Sequence, residues 1–130
     1  MGYTRYWTRT DKPIDDELID AINDIIADCK NRGIIIKDGY GEGEPIVNEN
    51  GILFNGDAST RLDHETFYIT NDKDELNTWQ FCKTARKPYD YAVRQALKIA
   101  EQLGFVTKVY DDGDNNEIIS DADYLAEMEV

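Results

Sequence analysis

A group of cationic side chains precedes the second of two predicted helices. Lys83, Arg86 and Lys87 fall within five positions, Thr84 lies among them, and Pro88 follows directly. Proline is well suited to the first position of a helix. The free N–H groups and the dipole of a helix start both favour an anion, so this spacing predicts a site for a phosphorylated small molecule such as a nucleotide. The alternative is that these cations form surface ion pairs with nearby carboxylates: Asp74, Glu75 and Asp90.

His64 and Glu65, at the start of a predicted strand, also carry groups that do chemistry. His64 is the only histidine of the chain, and with Cys82 it would supply a base and a nucleophile if folding brought them together. A lone histidine at a strand end is more typical of a hydrogen-bonding residue, and a free cysteine of a buried apolar one. We therefore assign no catalytic residue and keep His64 and Glu65 as ligand-binding candidates beside the cations.

The first predicted helix carries a second pattern, an aspartate at every fourth position. On a helix, neighbouring members of this row lie about 6 Å apart along the axis. Like charges at this spacing lower helix stability, so the row suggests a use such as binding a basic protein, with nucleic-acid mimicry as one form of it. The alternative is a face that keeps the chain soluble. The row consists of Asp16, Asp20, Asp24 and Asp28.

Other polar clusters match metal sites poorly. Asp111, Asp112, Asp114 and Glu117 surround a turn, but the calcium-loop order with its fixed glycine and terminal glutamate is absent. One histidine and two distant cysteines do not make a zinc ligand set. We therefore predict neither a metal nor a cofactor.

The elements that must position these residues follow from periodicity and breakers. A strand is expected over residues 2–10 and a helix from Asp15 or Asp16 to about Asn31. β-branched residues 34–36 predict a buried strand, and Asn50-Gly51 predicts a hairpin turn. Further elements are expected as follows: a strand over 65–70, a helix from Pro88 to Gly104, a strand over 105–110 and a short helix after Ser120.

This order predicts an α+β fold built as a two-layer sandwich. A mixed, mostly antiparallel sheet would carry two helices on one face, in a ferredoxin-like order with an inserted β-hairpin. Residues 1–119 would form the single domain, and residues 120–130 an acidic tail. Six aromatic residues are expected in the core or at its rim, and exposed together they would form a stacking platform: Tyr3, Tyr6, Trp7, Tyr68, Trp79 and Tyr89.

Composition restricts the partners. The 130 residues carry a formal net charge of −13, which opposes direct binding of nucleic acid or of an anionic membrane and favours basic protein partners. No apolar run approaches the length of a membrane span. Two cysteines are too few for a disulfide framework, so reduced thiols in a cytoplasm are expected.

Four short motifs resemble a family of small uncharacterised proteins encoded by bacteriophages, prophages and their hosts. These motifs are GYTRYW at residues 2–7, ETF at 65–67, FCKTARKPYD at 81–90 and DGD at 112–114. Many members have a histidine at the position of Arg5, a difference that removes one candidate site residue of the family; Arg5 itself stays in the ligand-binding set. The resemblance implies a phage-related origin and no particular reaction. With that origin, the basic partner is expected to be a host or phage protein, and the location is expected to be the cytoplasm of a bacterial host. Together these patterns favour a protein that acts by binding rather than by catalysis.

Overall fold

The computed structural model describes residues 2–113 and 115–129. Met1 and Val130, at the ends of the predicted domain and tail, lie outside the described residues, as does Asp114 of the DGD motif and of the acidic turn. The elements are β1 (Thr4–Arg9), α1 (Asp16–Asn31), β2 (Ile46–Asn48), β3 (Gly51–Phe54), β4 (Phe67–Thr70), β5 (Trp79–Lys83), α2 (Asp90–Leu103), β6 (Val106–Asp111) and α3 (Asp121–Met128), with a 3-10 turn at Ala58–Thr60.

The six strands form two antiparallel sheets of three. The β1 sheet has the order β5-β1-β6, and the β3 sheet has the order β2-β3-β4. The α+β class and its two-layer build are confirmed, whereas the prediction of one mixed sheet is corrected, because all observed pairings are antiparallel. β5 and β6 both run antiparallel to β1, so they are parallel to each other, and α2 connects them in a split β-α-β unit.

That unit is half of the predicted ferredoxin-like order, and the other half is missing. The strand expected at residues 34–36 does not form, because the chain is still tied to the end of α1. The Ile34 N–H donates to the Cys29 carbonyl at 2.8 Å, and the Ile35 N–H donates to the Asp121 carboxylate at 3.0 Å. The chain joins the β3 sheet only at Lys37, through a single bridge to Asn55.

One apolar core unites both helices and both sheets. Leu18, Ile22 and Cys29 from α1 meet the inner face of α2, whose alanines allow a close approach of the two helices. α2 packs on β1 and β6, while α1 reaches β2. The helices therefore lie over the inner faces of the sheets, and the opposite face of the β1 sheet is left uncovered by them.

A fully buried arginine ties the two sheets together. Arg9 donates to the backbone carbonyls of Thr70 at 3.1 Å and Phe105 at 3.1 Å, and its Nε lies 3.7 Å from the carboxylate of Glu75. Burial lowers the pKa of Arg9 and raises that of Glu75, because both charges have left water. The segment between β4 and β5 thus supplies an internal carboxylate as well as a turn.

Candidate functional site

The predicted ligand site lies on the loop between β5 and α2. α2 begins at Asp90, two residues later than Pro88, with Tyr89 at the N-cap position and no side-chain cap. Ahead of it, Ala85 and Arg86 both have left-handed backbones, with φ of 54° and 57°. Non-glycine residues rarely adopt this conformation, so two in succession mark a sharply turned loop that its surroundings hold in place.

Asp90 holds the buried centre of this loop. Its carboxylate accepts two hydrogen bonds from the Arg5 guanidinium, at 2.8 and 2.9 Å, and one from the Thr84 hydroxyl at 2.6 Å. The Asn115 amide donates a fourth at 2.7 Å. Burial works against the charge of Arg5, but hydrogen bonding and attraction to Asp90 outweigh it and raise the pKa of Arg5. Arg5 and Thr84 are therefore brought together, in an internal network.

The three cations of the loop point to different surroundings. Lys87 donates to the backbone carbonyls of Arg61 at 2.9 Å and Asp63 at 2.7 Å, which fastens the preceding loop to this one. The guanidinium of Arg86 lies 4.3 Å from the centre of the Tyr3 ring. Lys83 is exposed, with its ammonium 5.9 Å from the Phe81 ring. Two of the carboxylates predicted to pair with these cations have other partners, since Asp90 pairs with Arg5 and Glu75 with Arg9.

Glu65 is brought to the same loop, and His64 lies beside it in the chain. The Glu65 carboxylate accepts the Lys83 N–H at 2.8 Å, and its carbonyl accepts the Tyr89 hydroxyl at 2.6 Å. His64 is exposed, and its backbone N–H and carbonyl are bonded to Asn55. Cys82 is fully buried, and burial raises the pKa of its thiol, so the reactive thiolate is strongly disfavoured.

This arrangement favours a structural role for much of the predicted anion site. The helix start that would attract a phosphate already carries the carboxylate of Asp90, which is 2% exposed. Thr84 and Arg5 are engaged with that carboxylate, and Lys87 with backbone oxygens. The phosphorylated-ligand hypothesis stays a prediction; of the three cations, Lys83 and Arg86 are the exposed ones.

A cavity that the sequence did not suggest lies on the α2 side of this network. It has a volume of about 240 Å³ and is lined by Arg5, Arg94 and Lys98 together with Glu101 and Asp111. With Asp90 behind Arg5, three cations face three carboxylates, so the cavity has no net preference for an anion. Asn115 and Asn116 complete its wall. The one sequence signal for it is the helical spacing of Arg94, Lys98 and Glu101 along α2.

The aspartates of α1 lie on the neighbouring helix of the same layer, since α1 packs against α2. Asp16, Asp20 and Asp24 are exposed, and among residues 2–113 and 115–129 no lysine or arginine nitrogen lies within 4.0 Å of their carboxylates. Asp28 differs, because it is paired with Arg32 at 2.9 Å and accepts the Tyr91 hydroxyl at 2.8 Å. Those bonds lower the pKa of Asp28. We call Asp16, Asp20, Asp24 and Asp28 the acidic row.

A shallow groove separates α1 from α2 beside the acidic row. It has a volume of about 300 Å³, with Ala21, Asp24 and Ile25 on the α1 wall. The α2 wall is formed by Ile99 with three polar residues: Gln95, Lys98 and Gln102. The groove thus presents half-buried isoleucines next to the exposed carboxylate of Asp24.

In the part of the chain that the structure describes, no three histidine, cysteine, aspartate or glutamate residues converge as metal ligands. None of the described helices combines the length and the apolar character that crossing a membrane requires. Comparisons of the chain with models of known protein families, with curated proteins and with solved structures found no match.

Proposed function

We propose that this protein acts by binding a basic protein partner, of host or phage origin, through the acidic row of α1. The observation that carries this proposal is the exposure of three successive carboxylates, Asp16, Asp20 and Asp24, with no cation of the described chain within 4.0 Å. Like charges four residues apart destabilise a helix, so the row has a stability cost that a cationic partner would remove. The net charge of −13 would also accelerate the encounter with such a partner.

The spacing of the row favours a partner that presents single cations over one built for duplex DNA. Its charges recur about every 6 Å along α1. The phosphates of one DNA strand recur about every 3.4 Å along the axis, so the row has roughly half that charge density. Pairing of Asp28 with Arg32 lowers the density further. Nucleic-acid mimicry is the narrower form of the proposal, and it predicts that duplex DNA competes for the same partner.

The test uses a synthetic amphipathic helix with lysine at every fourth position as the basic probe. We expect D16N/D20N/D24N to weaken its binding about tenfold, since three exposed ion pairs contribute roughly 1–2 kcal/mol together. The matched control, E44Q/E49Q/E127Q, removes three exposed charges elsewhere and should change binding much less. Isothermal titration calorimetry at several salt concentrations provides the affinities.

Two results would contradict the proposal. Equal loss of affinity in the control variant would mean that only the net charge matters, and the acidic row is no specific site. Binding that is unchanged from low to high salt would mean that ion pairs with exposed carboxylates do not hold the probe.

A further inference from the structure

The uncovered face of the β1 sheet carries four aromatic rings that cross all three strands. The Tyr6 ring on β1 stacks on Tyr110 of β6, with centroids 4.6 Å apart, and on Trp79 of β5, at 5.7 Å. Phe81 packs against Trp79 at 5.3 Å. Trp79 and Tyr110 are each 52% exposed and Phe81 is 40% exposed. We call these four residues the aromatic ladder; aromatic side chains are enriched in protein–protein interfaces relative to the rest of the surface.

The orientation of the rings restricts what this surface can bind. Tyr6 lies nearly parallel to both neighbours, at 13° and 19°, so its two faces are already covered by rings on the adjacent strands. A platform for nucleic-acid bases must offer free ring faces, whereas this ladder offers mainly edges. The chain's net charge of −13 opposes a polyanion as well. A protein surface is therefore the occupant that fits.

Two opposite charges flank one end of the ladder. Lys83 on β5 and Asp112, next to β6, lie on either side of Thr4 at the same end of β1. Lys83 shares the face of the ladder, since its ammonium lies over the Phe81 ring. Asp112 does so too, because it accepts the Tyr6 hydroxyl at 2.7 Å, while its other oxygen accepts the Thr4 N–H at 3.0 Å. The face is thus positive on one side and negative on the other.

We propose that this face binds the same face of a second copy of the chain, about a two-fold axis parallel to β1. That axis places β5 of each copy over β6 of the other. Lys83 of each copy then faces Asp112 of the second copy, and Phe81 faces its Tyr110. A two-fold axis perpendicular to the strands would place Lys83 over Trp79 instead and form neither ion pair. The two Lys83–Asp112 pairs therefore favour a second copy of the chain as the partner, in this orientation. Two sheets packed face to face with nearly aligned strands are a common arrangement.

The size of the face sets the expected strength. Six-residue strands and three-strand width give a footprint of about 20 Å by 14 Å. This is well below the roughly 800 Å² per partner of a stable interface, so the dimer is weak and transient. Each copy carries −13, so added salt should strengthen this dimer by screening the repulsion. A basic partner on α1 responds to salt in the opposite way, so the two proposals fail independently.

Sedimentation velocity from about 10 µM to about 1 mM, a range that covers weak association, tests the dimer. We expect the mass of the wild-type chain to rise with concentration, and W79A and K83E each to shift the midpoint by at least about tenfold. K73E, which makes the same charge change at an exposed position away from the ladder, should behave as wild type. Circular dichroism confirms that each variant is folded.

The most specific test of the dimer mixes two charge-reversed variants. K83E and D112K should each stay monomeric, because like charges then meet across the two-fold axis. Their equimolar mixture should form a heterodimer, because the introduced glutamate faces the introduced lysine at one site and Lys83 faces Asp112 at the other. A wild-type chain that stays monomeric throughout, a dimer that W79A and K83E leave intact, or folded variants whose mixture stays monomeric would each overturn the proposal.

Discussion

Asp90 shows how one side chain can decide the use of a whole segment. Its carboxylate satisfies Arg5, Thr84 and Asn115 at once, in a position almost closed to water. A buried arginine is tolerated only with a well-bonded counter-charge, since the cost of taking both charges out of water is large. The network therefore fixes the start of α2 against β1, and through Thr84 it fixes the sharply turned loop between β5 and α2.

The dependence of Arg5 on the Asp90 carboxylate can be tested by substitution. D90N keeps the shape of the side chain but leaves Arg5 buried without its main partner. We expect it to lower the free energy of unfolding by about 3–5 kcal/mol. Urea denaturation followed by circular dichroism measures this change.

The neighbouring carboxylate provides the control for D90N. Asp111 also contacts Arg5, but at 3.3 Å and with a side chain that is 32% exposed. D111N should therefore cost about 1 kcal/mol or less. Equal effects of the two substitutions would show that Arg5 does not depend on Asp90 in particular.

Among the elements, α3 is the one most weakly joined to the fold. It has no buried residue, and Ser120 caps it by accepting the Asp123 N–H. Its first residue connects it to the end of α1: the Asp121 N–H donates to the Gly33 carbonyl at 2.9 Å, and the Asp121 carboxylate accepts the Ile35 N–H. The predicted short helix after Ser120 thus forms, and it is anchored at one end.

Loss of the Asp121 contacts should release α3 from the end of α1 while the rest of the chain stays folded. D121A should lower the hydrogen-exchange protection of the Ile35 amide and of the α3 amides at least about tenfold. The global free energy of unfolding should change by less than about 1 kcal/mol, because little apolar surface is lost. D123A, on the exposed side of the same turn, should leave the Ile35 amide protected. A large global destabilisation by D121A would contradict this account.

The same helix should respond to pH. Burial raises the pKa of Asp121 in the docked state above its ordinary 3.8, against the opposing effect of the Ile35 hydrogen bond. A carboxyl group with a raised pKa binds its proton more readily when docked. Docking should therefore be strongest below pH 3.8 and weaken as the pH rises through the raised value. Protection factors of the α3 amides across this range, compared with D121A, measure the effect.

For the molecule as a whole, the distribution of charge matters as much as its sum. The net charge is −13, yet Lys83 and Asp112 place one charge of each sign beside the aromatic ladder, and the acidic row lies on the helical layer. Two surfaces of different chemistry therefore lie on opposite sides of the core. Self-repulsion among the carboxylates opposes the compact state, and salt screens it.

This repulsion gives the prediction at the largest scale. Raising the salt concentration should stabilise the wild-type chain against urea, because the carboxylate repulsion is screened. D20N/D24N removes all three neighbouring like-charge pairs of the acidic row, so it should stabilise the fold by about 0.6–1.5 kcal/mol at low salt and less at high salt. E44Q/E49Q is the matched control. If D20N/D24N does not stabilise the fold, the like charges of the acidic row do not destabilise the helix. A cationic partner would then have no repulsion to relieve.

Local patterns predicted most of the elements and the chemistry of their surfaces. The apolar stripes of α1 and α2, the hairpin of β2 and β3 and the cap at Ser120 depend on neighbours within one or two turns of chain, and all appear in the structure. The hairpin turns one residue earlier than predicted, at Glu49-Asn50 instead of Asn50-Gly51, because Asn48 pairs with Gly51 and its side chain accepts the N–H groups of Asn50 and Gly51. The exposed aspartates of α1 follow from the same periodicity. β5 was not among the predicted strands; in the structure it exposes Trp79 and Phe81 on one face and buries Cys82 on the other.

The tertiary structure alone decided how distant residues pair. The β-branched run at residues 34–36 has the composition of a strand, but the anchor to Asp121 and the end of α1 hold it outside the sheets. The pairing of Arg5 with Asp90 and of Arg9 with Glu75 likewise joins residues more than sixty positions apart. Hydrogen-bond partners of buried charges depend on three-dimensional proximity, which local sequence does not encode. The sequence by itself thus determined the helices, most strands and the acidic charge, and the fold determined which charges became internal.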